Sequence, residues 1–332
     1  MTLVLVVGQN AAWQKVGTLR RLEPGAVNRL DSLIAFGSSK GPNTARALCG
    51  IGAPAVVVCY AGGAAGRLFL EQLAEEGLHC DAVPIAAETR VCTTYADADG
   101  RCTEVIEPAP EVTTGERAAF RRVVELRLDN ARLLALMGTP VRGETADCYR
   151  WMVRAAHDRG VPVVLDSAAD AAVEALAERP EVLKVNAEEL ALFAGHGTAG
   201  AASRARAYRA LRERGVRWIV VTLGAAGVEA GDGRLVLRAA VPSVAVVNSV
   251  GSGDAAAAGV AWSLHEALAG GADPAGVFAS RDRLADAAAC AAAMGTANCL
   301  NAVNGRVLDA EYRRIRAQVT VRDLREHRPP GL

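Results

Sequence analysis

The chain has 332 residues, 51% of them hydrophobic, with Lys+Arg and Asp+Glu both at 37 and a formal net charge of +0. That is enough apolar material for one large α/β domain with an appendage, or for two smaller domains. The balanced charge excludes a bulk nucleic-acid binder, which needs a basic footprint, but leaves room for a local basic pocket.

The N-terminal run MTLVLVVGQN reads as a buried first strand, at 3–7, rather than an export signal. Polar and apolar residues alternate over 27–36, and a helix follows at 41–51. A strand at 55–60 and a helix at 67–76 come next. Residues 90–107 alternate again around the turn DADG at 97–100, which predicts a hairpin with one solvated face. Strands follow at 133–137, 161–166, 182–185 and 218–222, with helices at 145–159, 187–194, 201–214 and 255–269. Continuous apolar strands alternating with helices predict a mostly parallel sheet covered on both faces. The two alternating segments predict a small β-sheet lid over the sheet's carboxyl edge. The polar tail 320–332, with two prolines, is expected to fray. No stretch reaches the roughly 18 apolar residues of a membrane span. Eight scattered Cys, none in CxxC, read as free thiols in a reducing cytoplasm. The heavy Ala and Arg usage reads as base bias without chemical meaning.

Three motifs in the second half carry chemistry. In VNSVGSGDAAAAG (247–259), glycines 251 and 253 let backbone N–H groups converge at the start of an Ala-rich helix, an arrangement that stabilises an anion. Asp254 there is either an N-cap or a general base for an attacking hydroxyl. In KVNAEE (184–189), Asn186 and Glu189 lie three apart, as suits a pair holding the water shell of Mg²⁺ or a capping box. VTLGAAG (221–227) gives a strand end, a hydroxyl and glycines where nucleotide phosphates could lie. The chain lacks GxGxxG after its first strand, GxxxxGK[ST] and GxSxG, which argues against dehydrogenase, Walker-type and hydrolase readings.

With GSSKGPNTA (37–45), these motifs follow the order found in ribokinase-like (PfkB) carbohydrate kinases. GAVNRL (25–30), 88–113 and MGTP (137–140) resemble the 1-phosphofructokinase and tagatose-6-phosphate kinase branch. The resemblance runs from about residue 3 to about 310. It implies a Rossmann-like three-layer α/β sandwich over 1–318, with lid strands from about 10–36 and 88–107 and a polar tail at 319–332. The implied activity is ATP- and Mg²⁺-dependent phosphorylation of a sugar or polyol that already carries a phosphate.

The resemblance also implies roles for individual residues. Asp254 would be the base, and the N–H groups of Gly251, Ser252 and Gly253 the anion hole. Asn186 and Glu189 would hold Mg²⁺ through water. Lys184, Asn186, Thr222, Gly224 and Gly227 would line the nucleotide, with 291–304, including Asn298, bordering adenine. Lys40 and Arg90 would grip the acceptor's phosphate, with Arg142 a further candidate. Asn43 would contact acceptor hydroxyls, and Gln14 and Gly138 would complete that site. Relatives suggest a homodimer through the lid.

The sequence departs from the branch on the acceptor side. Gln14 stands where the family has Asp, and GSSKG replaces an all-glycine run before Lys40. Asn248–Ser249 and Ala255 also differ from the common pattern. These changes point to a shifted acceptor, such as a cyclitol phosphate. A catalytically silent sugar-phosphate or nucleotide sensor is the alternative from another class.

Overall fold

Continuous apolar runs become the interior strands of one large sheet in the computed structural model, which describes residues 3–99 and 101–324. The strands are β1 (Leu3–Asn10), β2 (Ala12–Leu19), β3 (Ser32–Ser38), β4 (Ala55–Ala61), β5 (His79–Pro84), β6 (Arg90–Asp97) and β7 (Cys102–Ile106). They continue with β8 (Ala131–Met137), β9 (Val163–Asp166), β10 (Val182–Asn186), β11 (Trp218–Thr222), β12 (Val228–Gly231), β13 (Val236–Ala240) and β14 (Thr320–Asp323). The helices are α1 (Lys40–Gly50), α2 (Gly63–Glu75), α3 (Thr114–Leu128), α4 (Cys148–His157), α5 (Asp170–Ala175), α6 (Glu189–Ala194), α7 (Ala201–Glu213), α8 (Ser252–Ala269), α9 (Pro274–Ala279), α10 (Arg281–Asn298) and α11 (Asp309–Arg316).

The large sheet has the order β14-β13-β12-β11-β10-β9-β8-β1-β4-β5. Neighbours from β5 to β11 are parallel. β12, β13 and β14 extend it antiparallel. Alternate residues feed opposite faces: Val4 and Val6 pack with Leu48, Phe69 and Leu264, and Leu5 and Val7 pack with Phe120, Met152 and Leu211. Both faces are therefore covered, giving the expected three-layer α/β sandwich. Each fully buried aliphatic or aromatic side chain contributes about 1.5–3 kcal/mol to that arrangement.

The alanine runs prove structural rather than idle. Helices α8 and α10 pack backbone to backbone, and a Cβ added at Gly259 would lie 2.4 Å from the Cys290 carbonyl oxygen. Ala255–Ala258 and Ala287–Ala289 are buried along these two helices. Only small side chains allow so close an approach.

The lid is a four-stranded sheet of order β3-β2-β6-β7. The β6–β7 hairpin forms antiparallel, as the alternation over 90–107 predicts, though Gly100 of its turn lies outside the described residues. The strand expected from residue 27 begins only at Ser32, and β2, within the range 10–36 implied for lid strands though not marked by alternation, fills the lid's centre one residue after β1. The expected fraying of the tail needs correction at its start. Thr320–Asp323 pair with β13 as a sheet edge, and 325–332 lie outside the described residues. No described helix is long and apolar enough to cross a membrane.

Candidate active site

The parallel strands place their carboxyl ends along one edge. β9 ends on Asp166, β10 on Asn186 and β11 on Thr222, while Gly138 directly follows β8. Strand order reverses between β1 and β8, where parallel α/β sheets open their ligand crevice.

Asp254 is the third residue of α8, whose N-cap Gly251 has φ 83° and no side-chain cap. Its carboxylate therefore does not cap its own helix. It accepts a 2.8 Å hydrogen bond from the Asn43 amide instead. The Asn43 carbonyl oxygen accepts from the Ser38 hydroxyl at 3.0 Å and from Arg46 Nη1 at 3.2 Å. Arg46 cannot accept, so these bonds fix the amide with its NH₂ toward Asp254. Burial pushes the Asp254 carboxyl up to about 6; nearby Lys40 opposes this, Asp166 adds to it, and Asn43 and Lys184 oppose it. The group titrates just below neutrality, where a base for an alcohol proton is useful.

Asp166 is fully buried and bridges two lysines: Lys40 Nζ and Lys184 Nζ each lie 2.8 Å from one of its oxygens. Burial opposes the Asp166 charge, but Lys184 and Lys40 outweigh it and hold the carboxyl below its ordinary value. Burial likewise opposes the Lys40 ammonium, yet Asp166, Asp254 and Glu189 keep it above its ordinary value. A Cβ on Gly253 would lie 3.2 Å from Lys184 Nζ, so the ammonium sits against the GSGD turn. Two cations and the start of α8 thus converge where negative charge would develop.

Beside this cluster lies a cleft of about 500 Å³. Thr222 at the end of β11 with Gly224 and Gly227 after it, Ser252, Gly253 and Ala256 of α8, and Ala292, Gly295 and Thr296 of α10 with Cys299 after it are among its lining residues. Its walls are built largely from small residues, with Gly253 of the GSGD turn among them.

A family model described as pfkB family carbohydrate kinase matches residues 40–303. The chain belongs to the pfkB family of carbohydrate kinases. It is a phosphotransferase acting on a sugar hydroxyl. Phosphofructokinase-2 from Escherichia coli, solved as a tetrameric inhibited form, superposes with a TM-score of 0.83 at 21% identity, covering 96% of this chain and 99% of that one. A protein named as a possible 1-phosphofructokinase from Thermotoga maritima gives 0.80 at 20%, covering 97% and 99%. At this identity the likeness establishes a shared fold.

Several residues of this pfkB kinase lie differently from expectation. Asn298 does not border the cleft; it is fully buried, donates to Val250 O and Ser252 Oγ at 3.0 Å each, and accepts from Gly305 N at 2.7 Å. It braces the GSGD turn from behind. The Ser252 N–H is bonded to Ser249 O at 3.2 Å and so is not free to donate to an anion. Asn186 and Glu189 form the reciprocal capping box, with bonds of 2.8 and 2.7 Å. The second Glu189 oxygen points to Lys40 Nζ at 3.9 Å. Lys40 is not a free cation waiting for an acceptor, because Asp166 holds it.

Gln14 is buried in β2, and its NH₂ donates to Lys15 O at 3.2 Å and Thr94 Oγ1 at 3.0 Å. A backbone carbonyl only accepts, so the amide orientation is fixed and its remaining capacity is an acceptor oxygen. Arg90 opens β6 with its Nε buried and unpartnered. Gly138 has φ 79°, donates its N–H to Asp166 O at 2.8 Å, and abuts the Lys40 stem. Arg142 pairs with Glu111 at the surface. Asp166 and Arg46 carry no role in the sequence reading. The signal for Asp166 was present, as an acid closing the apolar strand VVLD; none marked Arg46.

Proposed function

We propose that this kinase transfers the γ-phosphoryl group of ATP to a hydroxyl of an already phosphorylated sugar or polyol. The observation that carries the reading is Asp254, a buried carboxylate held by Asn43 rather than by its own helix, beside Lys40 and against the GSGD turn. Asp254 takes the hydroxyl proton as the oxygen attacks the γ-phosphorus. The bond from that phosphorus to the β–γ bridging oxygen breaks, and ADP leaves. Lys40, Lys184 and the Gly251 and Gly253 N–H groups face the charge that spreads over the transferring group.

Among the described residues no group of three or more His, Cys, Asp or Glu could cage a metal ion. Glu189 keeps one carboxylate oxygen beyond its capping box. That donor set fits Mg²⁺ carried on nucleotide phosphates and touched through its waters. Bound so, Mg²⁺ would offset phosphate charge, with Glu189 holding one of its waters.

Arg90 is the cation assigned to the acceptor's phosphate, and Gln14 reads a hydroxyl as a neutral acceptor of its hydrogen. The neutral Gln14 and the altered loop before Lys40 favour a divergent acceptor such as a cyclitol phosphate. Exposed Leu33, Ile34, Val105 and Ile106 on the lid strands support a homodimer through the lid. All eight cysteines are free, which suits a reducing cytoplasm.

The test is ADP release from Mg·ATP with fructose 1-phosphate, fructose 6-phosphate, tagatose 6-phosphate, myo-inositol phosphates and the matching unphosphorylated compounds. The reading expects turnover of a phosphorylated member and little of its unphosphorylated partner. Binding without ADP from any member would make the protein a sensor.

A further inference from the structure

The large sheet carries a second cavity on its other face. Val228, Ala230, Leu237 and Ala239 pack with α8 and α10, on the side of the 500 Å³ cleft. Alternation turns Glu229 and Arg238, paired across β12 and β13, to the opposite face, where Arg204 and Tyr208 of α7 meet Glu229. There a cavity of about 540 Å³ is bordered by Arg204, Arg238, Asn186, Glu188, Leu223 and Ala226. Thr222 borders both spaces, so residues 222–227 stand between them.

The charges on this face do not balance. Burial opposes the Glu229 charge, yet Arg204 and Arg238 hold the carboxyl below its ordinary value. Arg204 donates to it through Nε and Nη2 at 2.8 Å each, and the Tyr208 hydroxyl donates at 2.9 Å. Arg204 Nη1 turns to the Thr198 and Ala199 carbonyls. One guanidinium is therefore enough for this carboxylate, and Arg238 is in surplus. Among the described residues its guanidinium makes one hydrogen bond, from Nη2 to Glu229. Its Nε is buried without a partner, and its side chain is only 19% exposed. A guanidinium so far removed from water and so little bonded favours an incoming anion. Asn186 adds a donor: its Oδ1 accepts from Glu189 N, which leaves the NH₂ without a partner among the described residues.

We propose that this cavity binds a small carboxylic acid with a short apolar body, and that its occupancy changes nucleotide affinity across residues 222–227. The carboxylate takes the free donors of Arg238 and Asn186, and the body lies on Leu223 and Ala226. The surplus is a single positive charge, and Glu188 is exposed at the border, so a singly charged head suits the cavity better than a phosphate dianion. The coupling rests on the kinase reading, in which the nucleotide lies along Thr222, Gly224 and Gly227; the binding does not.

Calorimetry on the full chain uses 4-methyl-2-oxopentanoate, leucine and inorganic phosphate as probes. The first two share a carboxylate and a branched body, and leucine adds an ammonium for Glu188 to meet. At least one of them should bind saturably and more tightly than phosphate. Leucine the tighter would make the ligand an amino acid, and the oxo acid the tighter would make it a plain carboxylate. Arg238→Leu should weaken that binding by about tenfold or more. Ala226→Leu, which fills the cavity while keeping Arg238, should weaken it as much. The saturating probe should shift the ATP dissociation constant about threefold or more, and ATP should shift the probe's by the same factor. Without probe, ATP affinity should stay within about twofold in Arg238→Leu.

No saturable carboxylate binding, phosphate the tightest probe, or binding that survives both variants overturns the site. Loss of ATP affinity in Arg238→Leu equal to the loss of probe affinity would put Arg238 in the nucleotide site and overturn it as well. Probe binding that leaves ATP affinity unchanged overturns the coupling. If the wild type does not bind ATP, the kinase reading fails alone, and the carboxylate titrations still decide the cavity.

Discussion

Replacing Asp254 with Asn should lower turnover and raise stability at once, in a pH-dependent way. Asn keeps the shape and can still meet Asn43, but it cannot take a proton. Turnover with the best acceptor should fall by about 10² or more, with ATP KM nearly unchanged. The stability effect follows from the raised carboxyl, about 6 in the fold against 3.8 as the ordinary value. A carboxyl whose folded pKa lies above its unfolded value favours folding in its neutral form. That contribution is complete below pH 3.8 and is lost as pH rises through 6. The full span is about 3 kcal/mol, of which about half disappears between pH 5 and pH 8. Wild type should lose that much over this interval relative to Asp254→Asn. Urea unfolding of both proteins at the two pH values, paired with ADP release, measures both effects. An unchanged stability gap between pH 5 and 8 would refute the buried-carboxylate argument. Unchanged turnover would refute the base assignment.

Three further outcomes follow from the same geometry. Arg46→Lys keeps charge near Glu76 but loses the bond that orients Asn43, so kcat should fall about tenfold with the acid limb displaced upward and ATP KM within twofold; an undisturbed pH–rate profile would dismiss Arg46 as a positioning residue. In Arg90→Ala the acceptor KM should rise at least tenfold more than the ATP KM, and equal effects on both would remove Arg90 from the acceptor's phosphate. Asn298→Ala strands the Gly305 N–H and the Val250 carbonyl, which should cost about 1–3 kcal/mol of stability in urea unfolding; a neutral result would mean the turn needs no brace.

The sequence made the chemistry of strand ends legible. GSGD, NxxE and TLGxxG are local, because a helix start or a strand end needs its glycines, hydroxyls and acids within a few residues. The parallel sheet was equally plain, since its strands are buried on both faces and read as unbroken apolar runs. What escaped depends on distant approach. Asn43 meets Asp254 across 211 positions, and Arg46 meets Asn304 across 258. The role of Lys40 turned on Asp166, a single acid 126 residues away. Helix α10 left no readable pattern because it is apolar nearly all round, and its alanines matter only through the close approach to α8. Strand β2 hid in AWQKVGTL, whose alternation is weakened by Lys15 and Gly17. The capping box at Asn186 was one of two readings that fit the spacing equally; its bonds are present, and Glu189 still keeps a second carboxylate oxygen outside them.

The account stands most directly on a single-turnover label transfer. Excess wild-type kinase is mixed with Mg·[γ-³²P]ATP and the preferred phosphorylated acceptor over pH 5 to 8. The account predicts label in the acceptor's second phosphate, with a rate that rises through about pH 6 as Asp254 ionises and that Asp254→Asn abolishes. Label remaining in ATP, or released only as inorganic phosphate, would contradict it.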